Sequence, residues 1–339
     1  MKGLARLCAV VGVSVLVGCA PAADPQEGAP TSPGPSPTEA AATPLPVPPE
    51  PALTMNEAAE LLSWYQQTNE AALLAANESH DAAEFSAVDT GPMMLVNEFE
   101  VGARERLERP FEINDSWNHH VGQVWAPEAG DYPRYALTGS AYVHSPEEPA
   151  EEATEGREVL IGWIQDEPSG PWRKWASVEV DLRDLPEPVV EPVTGRTQAT
   201  HREASDRLLA YLRGQDSPDV HPDERLEEFI DFTPADTSVK HSYIVAPVRN
   251  RIDPVGPAGS ILATATSDGS LGVIAIRSVE RFSVEGERAY IDVGEELRTV
   301  LDLPEYPRSI EERRLLTIAY LISDDGEIHV LGSTVRYIS

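Results

Sequence analysis

The stretch Thr54-Met-Asn-Glu-Ala-Ala-Glu-Leu-Leu-Ser-Trp-Tyr65 opens the ordered part of the chain. Thr54 and Glu57 stand three apart as a capping box, in which hydroxyl and carboxylate satisfy each other's end of the first helical turn. Ala58, Leu61, Leu62, Tyr65, Ala72 and Leu73 then recur at the spacing of one helix face. The same opening returns 146 residues later, as Thr200-His-Arg-Glu203 followed by Ala204, Leu208, Leu209 and Leu212, with Gly214 as a stop. Each helix places a tyrosine eleven residues after its cap, Tyr65 and Tyr211.

Strand patterns follow each helix. Tyr135, Leu137, Ala141 and Val143 alternate with small or polar neighbours, Val159 to Ile164 is nearly continuous in apolar residues, and Ala176, Val178 and Val180 alternate again. Pro168-Ser-Gly170 supplies the turn between the last two. In the second half Ser260–Thr266 and Leu271–Ile276 flank Asp268-Gly269, while Leu315–Ile322 and Ile328–Ile338 flank Asp325-Gly326, both hairpin signals. The fold these patterns predict is α+β: tandem domains, each a helix on a curved antiparallel sheet in the manner of the cystatin-like or cone class. The first spans residues 54–184 and the second 196–339. Residues 185–195, rich in proline, join them.

The N-terminus reads as an export signal. Lys2 and Arg6 precede an apolar run, Leu7 to Val17, far shorter than the roughly twenty residues that span a bilayer. The run ends Leu16-Val17-Gly18-Cys19, which resembles the lipobox of bacterial lipoproteins. That resemblance implies removal of residues 1–18 and a diacylglycerol on the Cys19 sulfur. Two acyl chains hold a protein stably at a membrane. Residues 20–51 carry eleven of the chain's 30 prolines among Ala, Thr, Ser and Gly, with almost nothing to build a core. Residues 19–53 are therefore expected to form a disordered tether, reaching up to roughly 100 Å at about 3.1 Å per residue.

The rest of the chain narrows the chemistry. A formal charge of -31 repels nucleic acid and anionic headgroups. With only two cysteines, one in the signal and one in the lipobox, neither a disulfide nor thiol catalysis is expected. The lipobox, the proline tether, Trp64-Tyr-Gln-Gln-Thr-Asn69, Tyr132-Pro-Arg-Tyr135, Pro171-Trp-Arg-Lys-Trp175 and Val330-Leu-Gly-Ser333 together resemble a family of actinobacterial lipoproteins built on a domain of unknown function. The resemblance brings no catalytic residues with it.

Candidate sites are few. His119 and His120 are adjacent, so on a strand they point to opposite faces, and Asp115 nearby completes no metal-ligand spacing. His221-Pro-Asp-Glu224 reads as surface loop composition, and Asp324-Asp-Gly-Glu327 as a turn rather than a calcium loop. The acidic run Glu147–Glu155 reads as a loop tip. Nucleophile elbows and glycine-rich phosphate loops are absent. Trp64, Trp117, Trp125, Trp163, Trp172 and Trp175 fill a core or line a pocket, with Trp175 expected half exposed. The expectation is a membrane-anchored, non-catalytic envelope lipoprotein that binds a protein or small ligand and carries no cofactor, metal or catalytic residue. The alternatives are a hydrolase or transferase acting on cell-wall polymers, or a structural spacer whose curved sheets are filled by its own side chains.

Overall fold

Thr54 caps a helix. In the computed structural model, which describes residues 49–111, 118–143, 157–231, 239–247, 261–285 and 289–338, α1 spans Met55–Ser79. The Thr54 hydroxyl accepts from the Glu57 amide at 3.3 Å, and the Glu57 carboxylate accepts from the Thr54 amide at 2.8 Å. Its buried face is Ala58, Leu61, Leu62, Tyr65, Ala72 and Ala76, with Leu73 at the margin. Cys19, the proline-rich stretch through residue 48, Asp115, Trp117 and the Glu147–Glu155 run lie outside the described residues.

The first half holds a second helix that the sequence reading missed. Helix α2, Pro92–Leu107, begins with Pro92 in its first turn behind Gly91 at φ 55°. Proline suits that position because its missing N–H has no helical partner there. No side-chain cap announces this helix. The helix of the second half is corrected at its start. Helix α3 spans Gly195–Leu212, and Thr194 caps it by accepting from the Thr197 amide at 3.2 Å. Thr200 lies inside the helix and donates its hydroxyl to Arg196 O at 3.1 Å. Thr194 offers the same capping hydroxyl six residues upstream, and nothing between the two threonines breaks a helix beyond its first position. The expected Thr200 box is therefore the middle of a longer helix.

Two sheets form the centre. Sheet 1 runs β1 (Asn118–Trp125), β2 (Arg134–Val143), β3 (Arg157–Gln165) and β4 (Arg173–Glu179), all antiparallel in that order. Sheet 2 contains β5 (Val220–His221), β6 (Val239–Pro247), β7 (Ile261–Thr266), β8 (Gly269–Val284), β9 (Ser309–Ser323) and β10 (Ile328–Tyr337). Its order is β5-β10-β9-β8-β6, and β7 pairs with the first part of β8. Both Asp-Gly hairpins form, with Gly269 and Gly326 at positive φ. Bulges at Val121/Gln123, Gly162/Trp163 and Val330/Gly332 bend the strands and curl the sheets. Two short α-helices, α4 (Glu224–Asp231) and α5 (Glu295–Val300), and two 3-10 turns, Ala82–Ala87 and Leu182–Asp184, are the other helical elements among the described residues.

Pleat alternation decides the layering. Ala136, Val159, Ile161 and Trp163 pack against α1, while Leu137, Leu160, Ala176 and Val178 turn to the opposite face. There they meet Leu271, Val273, Ala275, Leu315 and Ala319 of sheet 2. The far face of sheet 2 presents Ile274, Ile276, Leu316, Ile318 and Tyr320 to Ala204, Leu208, Leu209 and Leu212 of α3. The order is helix, sheet, sheet, helix. This explains why Val159 to Ile164 is apolar almost throughout, because β3 is covered on both faces. Residues 185–193 are stitched to both halves: Trp125 Nε1 donates to Pro186 O at 2.7 Å, and the Val189 amide to Ala265 O at 3.2 Å. Pro48–Ser339 form one compact unit.

Candidate functional site

The parallel pairing of β5 with β10 brings together three side chains distant in sequence. Val220 and Ile328 pair and point into the core, so alternation turns their neighbours His221 and His329 outward, side by side. Glu327 precedes Ile328 and falls on the same side as His329, two positions on. The turn from Ser323 to Gly326 fixes it: the Gly326 amide donates to Ser323 O at 2.9 Å, and the Ser323 amide to Glu327 O at 3.0 Å. His221 Nε2 and Glu327 Oε2 are 2.7 Å apart. The two imidazoles stack at 4.7 Å and 12°. One ligand atom from each of the three lies within 4.8 Å of the others. His221 and Glu327 keep 46% and 43% of their side-chain surface open to solvent. Two imidazoles and a carboxylate offer two nitrogen donors and an oxygen donor at one exposed spot.

Two further polar clusters are interior. His201, buried on α3, places Nδ1 2.9 Å from the Tyr320 hydroxyl and Nε2 2.5 Å from Ser270 Oγ. Ser270 donates its only hydroxyl proton to Thr264 O at 3.1 Å. It therefore accepts from Nε2–H, which leaves Nδ1 to accept from Tyr320. Burial pushes the His201 imidazole down to about 4, so it is neutral. A nucleophilic serine must give its proton to histidine. Here the bond runs the other way, and the cluster is a closed structural network.

The second cluster ties three elements at the edge of sheet 1. Asp89 Oδ1 accepts from the Tyr65 hydroxyl at 3.2 Å, and Oδ2 from Asn97 Nδ2 at 2.8 Å. Lys174 Nζ stands 3.7 Å from Asp89 Oδ1 and 4.7 Å over the Tyr65 ring. Backbone bonds lock the same place, Lys174 N to Val88 O at 2.7 Å and Thr90 N to Lys174 O at 2.9 Å. Burial lowers the Lys174 amine, and the Asp89 carboxylate opposes that shift. Every polar atom named here is held by another, so this cluster also joins structure to structure.

Open clefts lie elsewhere. One holds about 540 Å³ between residues 127–135 and 192–198, and includes Glu128, Asp131 and Arg134. Of the described tryptophans, Trp125, Trp163 and Trp175 are fully buried in the core, Trp172 is partly buried, and Trp64 is 37% exposed. Trp175 is thus corrected from half exposed to buried, because α2 covers that side of β4 with Met93 and Val96. His119 and His120 stand on β1. Sequence reading took His221 and Glu327 as loop and turn residues and did not consider His329. The signal it had was Glu-x-His at the head of a strand, whose partner lies 106 positions away.

No family model matches this chain, and no curated protein matches it.

Proposed function

We propose that the chain is a lipid-anchored, extracytoplasmic envelope protein that works by binding through its surface and not by catalysis. Cys19 carries the anchor, and the proline-rich tether holds the body off the membrane. Each half is a helix seated on a curved antiparallel sheet of the cystatin-like kind, the two set back to back. The observation that carries the non-catalytic part of this reading is the filling of both curves. A structural spacer would share that filling, so the crosslinking experiment below decides between binder and spacer. Leu61, Leu62 and Tyr65 occupy one, and Leu208, Leu209 and Leu212 the other. Where such sheets hold a ligand in the curve, this chain holds its own helices, and recognition falls to the outer surface. The reversed serine–histidine polarity at Ser270 and His201 supports a non-catalytic reading of that pair.

The anchor and the partner are tested together. Wild type and Cys19→Ala are expressed in the native host with an alkyne fatty acid, fractionated and crosslinked in intact cells. Wild type takes the label, sediments with membrane and retains the same crosslinked partners in repeat experiments. Cys19→Ala loses all three. Membrane attachment that survives the substitution would overturn the anchor, and an anchored wild type without crosslinked partners would overturn the binding role.

A further inference from the structure

We propose that His221, Glu327 and His329 form a binding site for a divalent transition-metal ion of the zinc class. The site goes beyond surface binding and stands whether or not Cys19 is lipidated. Its first support is placement. The β5–β10 register puts both imidazoles on one face of neighbouring strands, with their backbones held by the Ile328 amide bond to Asp219 O at 2.8 Å. The Asp-Gly turn that precedes Glu327 sets the carboxylate beside them.

The second support is donor chemistry. Imidazole nitrogen suits Zn²⁺, Cu²⁺ and Ni²⁺, whereas Ca²⁺ and Mg²⁺ seek all-oxygen shells. Bonds of about 2.0–2.2 Å put neighbouring ligand atoms of a tetrahedral zinc roughly 3.4 Å apart. The three donors already lie within 4.8 Å, and one pair is at 2.7 Å. Side-chain rotation alone brings them to bonding distance, and half-exposed side chains rotate at little cost. Without metal, Nε2–H of His221 donates to Glu327. Binding at Nε2 moves that proton to Nδ1, and both groups turn their lone pairs to the ion. The remaining positions face solvent, so the site is open. A chain charge of -31 concentrates cations around it.

The ion would also do mechanical work. Strand β5 is two residues long and joins the sheet through two residue pairs. A metal bridging His221 to β10 clips down the segment that leads into α4. Metal binding of this kind stabilises the folded state by mass action.

The test is calorimetric titration of the chelator-treated, full-length protein with ZnCl₂, in excess MgCl₂ to occupy carboxylate-only sites. Wild type should bind one equivalent saturably and gain thermal stability. His221→Ala and His329→Ala should each weaken binding by about tenfold or more, and Glu327→Gln by less. All three positions are at the surface, so metal-free variants should melt with wild type. Electron paramagnetic resonance of the wild type with one equivalent of Cu²⁺ should show two nitrogen ligands, and this needs no variant. Zinc affinity unchanged in both histidine variants would overturn the proposal. So would the absence of saturable binding in Mg²⁺, or a copper spectrum without two nitrogens.

Discussion

At the scale of single residues, the interior histidine and lysine show how a buried polar group stays affordable. His201 sits among apolar side chains of α3 and sheet 2, where a charge would lack water. It stays neutral and spends both ring nitrogens on Tyr320 and Ser270. Its folded value of about 4 lies below the 6.5 of the unfolded chain. Between those values the unfolded chain binds a proton that the folded chain refuses. The linked stability is therefore complete above pH 6.5 and drains away as pH falls to 4, by on the order of 3 kcal/mol. His201→Gln keeps one donor and one acceptor but does not titrate. Urea midpoints measured from pH 7 to pH 4 should show wild type losing its advantage over this variant across that window. A constant gap would mean that His201 does not carry the titration. Lys174 solves the same problem differently, by pairing with Asp89 and lying over the Tyr65 ring.

At the scale of elements, what could be read from sequence was local. The Thr54 box and the two Asp-Gly turns each lie within a few residues, and each forms where its chemistry stands. Helix α2 was not legible because Gly91 caps it with backbone geometry and offers no side-chain signal. The α3 start was misplaced because two threonines compete for one cap, and spacing alone does not rank them. The His221–Glu327–His329 group was invisible for a stronger reason. Nothing near Val220 states that it pairs with Ile328, and the pairing follows only once sheet 2 has assembled. Sheet-to-sheet contact was equally hidden, and it rests on a glycine. A Cβ on Gly332 of β10 would be driven into the Glu179 carbonyl of β4, backbone against backbone. Gly332→Ala should cost about 1–3 kcal/mol as overpacking. Gly195→Ala, in the first turn of α3 with open space around it, should be neutral or mildly stabilising. Thermal midpoints of the pair check the point: equal effects would mean that β4 and β10 do not approach so closely.

At the scale of the whole molecule, the question is whether two halves that look alike in plan behave as two bodies. The inter-sheet core argues for one. Leu137, Leu160, Ala176 and Val178 from sheet 1 share a cluster with Leu271, Val273, Ala275, Leu315 and Ala319 from sheet 2. Separating the halves would expose both sets to water, at roughly 25 cal/mol for each Å² of apolar surface. Other ties add to this: Arg106 Nη1 donates to Val300 O at 2.9 Å, Arg109 pairs with Glu296 at 2.7 Å, and Phe99 packs on Tyr337. Unfolding should then be a single transition. The six tryptophans fall between residues 64 and 175, so their fluorescence reports the first half and, through Trp125 and Trp175, its seam with the second. Hydrogen exchange at the amides of β8 and β9 reports the second. The two readouts should share one urea midpoint. Leu160→Ala, at the centre of the interface, should lower both together by about 2–5 kcal/mol. If β8 and β9 stay protected after tryptophan fluorescence has changed, or if Leu160→Ala moves the first half only, the halves are independent domains, and the shared core is a contact between two finished folds.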